Sequence, residues 1–447
     1  MVSRSFKSVS GVAIALAILA GCGDEEVILP GERLDVRDRG DSAATVIADL
    51  GPGIAEGPAP SVGLPVAQVN AAWTHPGGNA AHSIAHPALQ RALQPIWSAS
   101  VGDGNSRGHR ITADPVIADG RIFTQDSRAL VSAFSLSGQT LWTHDLTPES
   151  DRADDASGGG LAVSGDTLYA TSGFGTLTAI DVSTGAVRWT QRLNSPATGA
   201  PAVDGDRVFV TTRNATGWAI DAANGRILWE VLGRKGVSGL AGGPGPSVAG
   251  PLVVFPFASG QMVAAGTNTG AQVWAASVAG QDISRAFSAI GDLSGAPVVD
   301  TTRLYAGSHA GRVVAISLAS GQAEWTARVG ALNPIWLGGN SLFFVTPENV
   351  LTRLDAATGQ QVWSVELPLF EARRASRSKS TFVHYGPIVA GGRLIVASDD
   401  GVLREFDPVT GAVLRETDLG RGAARNPVVA GGVLYLVTDN GQIRAFR

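Results

Sequence analysis

Leu177-Thr-Ala-Ile-Asp-Val-Ser-Thr-Gly-Ala-Val-Arg-Trp189 is the stretch from which the fold can be read. Alternation from Leu177 to Ile180 suits a half-buried strand, and Val187 to Trp189 begins another. Between them Asp181 and Thr184 can hydrogen-bond a turn backbone, and Gly185 can take the positive φ that closes a bulged hairpin. Trp189 follows Gly185 by four positions, and the same step recurs. It leads from Gly138 to Trp142, Gly225 to Trp229, Gly270 to Trp274, Gly321 to Trp325 and Gly359 to Trp363. A seventh copy runs from Gly411 to Arg415, with the tryptophan replaced. Such self-similarity marks repeat units that share one core, so length is no guide to domain number here.

A second pattern interleaves with the first. Pro115-Val-Ile-Ala-Asp-Gly-Arg-Ile-Phe123 reads as a short apolar strand, a tight turn and another strand. Copies start at Pro201, Pro246, Pro297, Pro334, Pro387 and Pro427, with Gly160 in place of proline once. Proline suits the first residue of a strand, where no ladder N–H is required. A third strand follows each copy, usually after glycine (Gly175, Gly217, Gly260, Gly311, Gly401, Gly441). That makes eight openings and eight third strands, but only seven turn-plus-tryptophan strands behind them. The last third strand, Gln442 to Phe446, has no fourth strand after it, whereas Trp97 near the start has no turn before it. A ring of four-stranded antiparallel sheets needs its first and last units joined, and Trp97 supplies the missing strand. The expected fold is all-β: an eight-bladed β-propeller whose last blade is closed by both ends of the repeat region. The spacing from Trp97 to Arg415 averages about 45 residues, the length of a four-stranded blade. Periodic, strand-borne tryptophans point to packing between blades, since ligand stacking would need rings on a loop face.

Composition narrows the function classes. Hydrophobic residues make up 44 % and charged residues 16 %, enough to build a large core, and the 57 glycines fit a chain that turns often. Cys22 is the only cysteine, which excludes an internal disulfide framework and a cysteine-based zinc cluster. The net charge is −5; Arg4 and Lys7 contribute +2 and residues 23–66, with nine acids against three arginines, −6, which leaves residues 67–447 at −1. Nothing there resembles the basic footprint of a nucleic-acid binder.

Arg4 and Lys7 precede an apolar run from Val9 to Ala20 that ends in Leu19-Ala-Gly-Cys22. Charged start, short apolar middle and small residues at the end describe a secretion signal over 1–21, too short for a comfortable membrane span. The last four residues match the lipobox of bacterial lipoproteins, which implies acylation of Cys22 and a membrane anchor. Gly23, where an aspartate would retain such proteins in the inner membrane, points to the outer membrane. Residues 22–66, rich in Gly, Pro, Ala and acids, read as a flexible tether, and 67–447 as the propeller. His75, His82 and His86 follow; His82 and His86 have metal-ligand spacing on a helix, but Pro87 and the lack of a carboxylate or cysteine partner favour structural roles.

The unit Ala-Ile-Asp-x-x-Thr-Gly-x-x-x-Trp resembles the repeat of quinoprotein-type propellers rather than that of WD proteins. With the lipobox, the eight blades, Trp97-Ser-Ala-Ser-Val-Gly102 and Gly291-Asp-Leu-Ser-Gly-Ala-Pro297, the chain resembles the BamB family of the outer-membrane β-barrel assembly (BAM) machinery from Leu19 onward. That resemblance implies a non-enzymatic scaffold lipoprotein without cofactor or metal, anchored by lipid on the periplasmic side of the outer membrane. It implies binding to the POTRA domains of BamA, association with other BAM subunits and with unfolded outer-membrane proteins, and a monomer within the complex. The family's acidic contact maps onto Asp292, beside Leu293 and Arg285, although a second family aspartate is replaced by Ser294. Its leucine- and arginine-bearing contact loop falls near Leu232, Arg234, Val237 and Leu240.

Two other readings compete. A quinone-cofactor dehydrogenase would need a vicinal cysteine pair, which a chain with one cysteine lacks, and calcium ligands, for which acidic 149–155 is the one candidate run. A membrane-anchored propeller binding polysaccharide or lipopolysaccharide could use the basic cluster Arg373, Arg374, Arg377 and Lys379.

Overall fold

The structure, a computed structural model, describes residues 58–236, 242–278, 293–371 and 380–447. Among these, every sheet has four antiparallel strands, and there are eight such sheets. Seven are built from consecutive strands. The blade that opens the ring contains β2 (Val116–Ala118), β3 (Arg121–Gln125), β4 (Leu130–Ser135) and β5 (Thr140–Asp145). The eighth joins β30 (Val428–Ala430), β31 (Val433–Thr438) and β32 (Gln442–Phe446) to β1 (Pro95–Ser100). Trp97 pairs with Ala445 and Ala99 with Ile443, and Gln94 and Arg447 exchange both backbone hydrogen bonds at 2.8 and 2.9 Å. The expected closure is therefore present, and it removes the two open sheet edges that an unclosed ring would carry.

The repeat turn forms as its residues require. Asp181 Oδ1 accepts the Ser183 and Thr184 amides at 3.0 Å, and Gly185 takes φ +75°. Each tryptophan then covers the turn glycine of the following blade: Trp97 covers Gly138, Trp142 covers Gly185, and so on to Trp363 over Gly411. A Cβ on any of these seven glycines would sit 3.0 Å or less from the ring. The indole N–H of six of the seven donates to a carbonyl of the same turn at 2.8–3.3 Å, Trp229 being the exception. On its own blade the ring of six of the seven, Trp274 being the exception, also meets an aromatic of the second strand, as in Phe123–Trp142 and Tyr169–Trp189, both 5.9 Å between centroids. The tryptophans are inter-blade packing, as their periodicity indicates.

Arg415 now has a physical explanation. It occupies the tryptophan position of the seventh blade, whose neighbour is the composite eighth blade. There the third and fourth strands, β32 and β1, come from opposite ends of the repeat region, so no glycine turn joins them. A tryptophan at 415 would have no turn to cover, and Arg415 is exposed.

The structure departs from the expected domain boundary. Residues 58–66, read from composition as the end of a flexible tether, are docked. Val62 is 3 % exposed, its carbonyl accepts the Asn340 amide, and Pro60 O accepts from the buried Arg353 guanidinium at 2.8 Å. Val62 is the one buried residue of this stretch, and a guanidinium supplied by a distant blade holds the backbone beside it.

Candidate interaction surface and capped channel

The two faces of the ring carry different features. Strands run antiparallel within each blade, so turns between first and second strands, and between third and fourth, lie on one face. Turns between second and third strands, and the long inter-blade loops, lie on the other.

On the first face, residues 58–94 lie across the mouth of the central channel. Trp73 forms an antiparallel bridge with Ile117, both bonds at 2.8 Å. The Val163 amide donates to Thr74 O at 2.9 Å, Val203 N to His75 Nε2 at 3.0 Å, Val248 N to Ala80 O at 2.8 Å and Val299 N to Ala81 O at 3.0 Å. In the other three blades the contact shifts to the turn: Asn340 N bonds Val62 O, Gly391 N bonds Pro87 O, and Gly431 N bonds Asn70 O. Trp73, 1 % exposed, stacks on Trp336 at 5.9 Å between centroids.

The histidines are parts of this segment. The bond from Val203 leaves Nε2 of His75 without a proton, so Nδ1 carries it and donates to Thr74 Oγ1 at 2.9 Å. Burial lowers the His75 pKa to about 3, with His82 adding to the shift. His82, at φ +55°, sets its ring nitrogens 2.6 Å from Pro76 O and 3.0 Å from Pro246 O, and burial lowers its pKa as well. His86 lies on the surface between Pro65 O and the Gly392 amide. No helix forms at 82–86, and among the described residues no three His, Cys, Asp or Glu are grouped to hold a metal ion.

Behind this cap lies a cavity of about 260 Å³ on the ring axis, with Trp73, Pro76, Gly77 and His82 as its floor and the openings of all eight innermost strands as its walls. Glycines are needed where these strands converge; a Cβ on Gly160 would be 2.5 Å from Ala200 Cα. The Arg425 guanidinium in the wall is neutralised by Asp114 at 2.7 Å, and Asn426 Nδ2 donates to the same carboxylate at 3.0 Å. The channel thus presents a small, largely apolar well with its charges paired.

The opposite face holds the loops expected to bind a partner. Leu232 ends β13 (Ile227–Leu232) opposite Thr216, which puts it beside a second-to-third-strand turn, and it is 71 % exposed. Beyond it, Gly233 packs on Phe257, and the Arg234 amide donates to Gln261 Oε1 at 2.7 Å, so the loop leans on the next blade. Leu293 bridges Ser308, also at a second-to-third-strand turn, but its side chain is fully buried in the core between two blades. Leu293 therefore cannot serve as a surface contact: a leucine entering a blade is drawn into the inter-blade core. Val237, Leu240, Arg285 and Asp292 lie outside the described residues, as do Cys22 and the basic cluster 373–379. The structure thus brings Leu232, Arg234 and the entry to Leu293 onto one face, remote from the cap.

The same face has a half-buried acid. Asp399 accepts the Val383 amide at 2.8 Å, yet burial, with Asp400, Glu371 and Asp439 nearby, raises its pKa to about 6. The acidic run 149–155 is an exposed inter-blade loop, in which Asp155 caps the Arg152 amide and Asp154 meets Arg128 at 3.1 Å. Among the described residues there is no helix long and apolar enough to cross a membrane.

Sequence reasoning missed the cap, but it left a signal. The third strands carry alanine at a fixed position (Ala133, Ala179, Ala219, Ala264, Ala315, Ala445), and Arg353 and Glu405 break that series. Arg353 binds Pro60 O, and Glu405 holds Arg393 at 2.5 Å, whose other arm reaches Gln90 O at 2.5 Å. The two exceptions grip the two ends of the segment.

Comparison with known proteins agrees with this architecture. The family described as "Outer membrane protein assembly factor BamB" matches residues 127–365 and 347–447. The protein so named from Escherichia coli (strain K12) is 29 % identical over 326 residues, which cover 71 % of this chain and 79 % of that one. Its counterpart from Legionella pneumophila (strain Paris) is 27 % identical over 181 residues, 40 % of this chain and 43 % of that one. Among solved structures, BamB from Moraxella catarrhalis superposes with a TM-score of 0.66 at 20 % identity, covering 80 % of this chain and all of that one. A quinohemoprotein alcohol dehydrogenase from Comamonas testosteroni reaches the same TM-score at 16 % identity, covering 85 % and 81 %, and so shares the fold.

Proposed function

Because the chain belongs to the BamB family of outer membrane protein assembly factors, we propose that it is a non-enzymatic scaffold of the BAM complex that assists insertion of β-barrel proteins into the outer membrane. The observation that carries this reading is the family match running from residue 127 to the end of the chain, over the blades that position the partner-facing loops. In it, Cys22 carries the acyl chains, the residues after it tether the ring to the periplasmic side of the outer membrane, and the loop face meets the POTRA domains of BamA. Asp292 supplies a carboxylate to a BamA arginine or lysine, and Leu232, Arg234, Val237 and Leu240 supply the neighbouring loop. Geometry supports the pairing of the two loops, since both leave their blades on the same face. The paired charges of the channel and the single cysteine give the dehydrogenase reading no comparable support.

Co-purification after mild detergent extraction tests the proposal. The double variant Asp292→Arg, Leu240→Glu should lose BamA while keeping its melting temperature and its lipid. A buried interfacial charge that loses its partner costs about 2–5 kcal/mol. Undiminished BamA recovery with the folded double variant would overturn the assignment of this patch. Cys22→Ala should abolish incorporation of labelled palmitate, and label retained by that variant would remove the anchor.

A further inference from the structure

In a propeller each blade touches only its two neighbours, so stability is a sum of local terms and blades can fray one at a time. Residues 58–94 break that rule. Followed along the chain, they meet the eighth blade at Asn70, then the first at Trp73, the second at Thr74, the third at His75, the fourth at Ala80 and the fifth at Ala81. They continue to the seventh at Pro87 and return to the eighth at Gln94, with Val62 on the sixth. The amides they capture are not scattered. Ile117, Val163, Val203, Val248 and Val299 occupy one equivalent position, each pairing with the second residue of its blade's second strand. These N–H groups lie on the axis-facing edge of the innermost strands, where no ladder partner exists, and an unpaired buried amide is costly. The segment also lies outside the residues matched by the family, which begin at 127.

We infer that residues 58–94 are an axial strap that couples all eight blades into one cooperative unit, with the ring of five equivalent amides as its binding surface. A single continuous chain holds blades that never touch each other, so opening at one anchor loosens the rest.

Amide hydrogen exchange on the detergent-solubilised full chain tests this. The double variant Asn70→Ala, His75→Ala removes one side-chain anchor on the eighth blade, Asn70 Nδ2 to Val429 O at 2.6 Å, and the acceptor of the Val203 amide on the third. Exchange should rise by at least about tenfold, the effect of losing roughly one net hydrogen bond, at Ile117, Val163, Val248 and Val299, which neither substitution touches. Amides of outer hairpins, such as Trp142 opposite Ala133, should keep their protection. Faster exchange confined to Val203, whose acceptor is deleted, or none at all, would overturn the strap. Should the double variant not fold, Ser83→Ala removes one bond, Ser83 Oγ to Val299 O at 2.7 Å. It should give the same pattern at about threefold, and acceleration limited to Val299 would overturn the inference equally.

Discussion

Trp97 lies against Gly138, so the seam between the last and first blades is sealed by the same indole-on-glycine contact as the seams between consecutive blades. A Cβ on Gly138 would fall 2.6 Å from the ring, and the glycine sits at φ +84°, where a side chain is strained. The indole N–H meets Leu136 O at 2.9 Å. Trp97→Ala should therefore destabilise the whole ring by about 2–4 kcal/mol, the range for deleting a large, partly buried ring. Gly138→Ala should cost at least about 1 kcal/mol through φ and overlap together. Urea titration followed by tryptophan fluorescence reads both, and a Trp97→Ala midpoint equal to that of the parent would contradict the seam.

The replaced tryptophan gives a paired expectation. Trp363→Arg uncovers Gly411 and removes the bond to Pro408 O, and should cost about 2–4 kcal/mol. Arg415→Trp restores the repeat consensus where no turn exists to be covered, and should change stability by less than about 0.5 kcal/mol, as exposed substitutions do. A clear gain from Arg415→Trp in calorimetry would show that the eighth blade offers it a partner.

Acid should weaken the cap. The His75 pKa falls from 6.5 unfolded to about 3 folded, so between those values the unfolded chain takes up a proton that the folded one refuses. Stability therefore declines as pH drops from about 6.5 toward about 3, by up to about 1.4 kcal/mol per pH unit for one such group. His82 and His384, both shifted down by burial, act in the same direction. Asp399 opposes them: its pKa of about 6 means that its contribution is present below 3.8 and is lost as pH rises through about 6. His75→Gln keeps an acceptor for Val203 without a proton to gain. It should flatten the decline in a series of melts from pH 7 to pH 4, and an unchanged slope would remove His75 from the account.

The loop face separates binding from folding at two leucines. Leu232→Glu changes an exposed side chain and should weaken BamA recovery with the melting temperature unmoved. Leu293→Glu places a carboxylate in the inter-blade core and should cost about 3–5 kcal/mol. A stable Leu293→Glu protein would show that this leucine is not the packing residue its burial indicates.

The ring was legible because its signals are periodic: the Asp-x-x-Thr-Gly turn, the tryptophan after it and the strand opening at proline recur with the blade, and the odd strand at Trp97 counts the blades. The cap was not, because its contacts come from the backbone carbonyls of Thr74, Ala80, Ala81 and Pro87, which no side-chain pattern reports. The structural role of the histidines was legible only by elimination, from Pro87 and the lack of a carboxylate or cysteine partner, because a histidine that satisfies a backbone amide or carbonyl looks, in sequence, like one that binds a metal. Leu232 and Leu293 stand on the same face, and only burial tells an exposed side chain from a core residue. Arg353 and Glu405 were the readable trace, two charges standing in an alanine series.

The pairing of β1 with β32 also sets a clock. Strand Pro95–Ser100 is made before every other strand of the ring, and its partner Gln442–Phe446 is made last. Until Gln442–Phe446 arrives, the first strand has no neighbour on its hydrogen-bonding edge, and closing so long a loop is slow. The blades between them can form from local hairpins while the ring stays open. The lock therefore engages only after the last strand of the ring has been made.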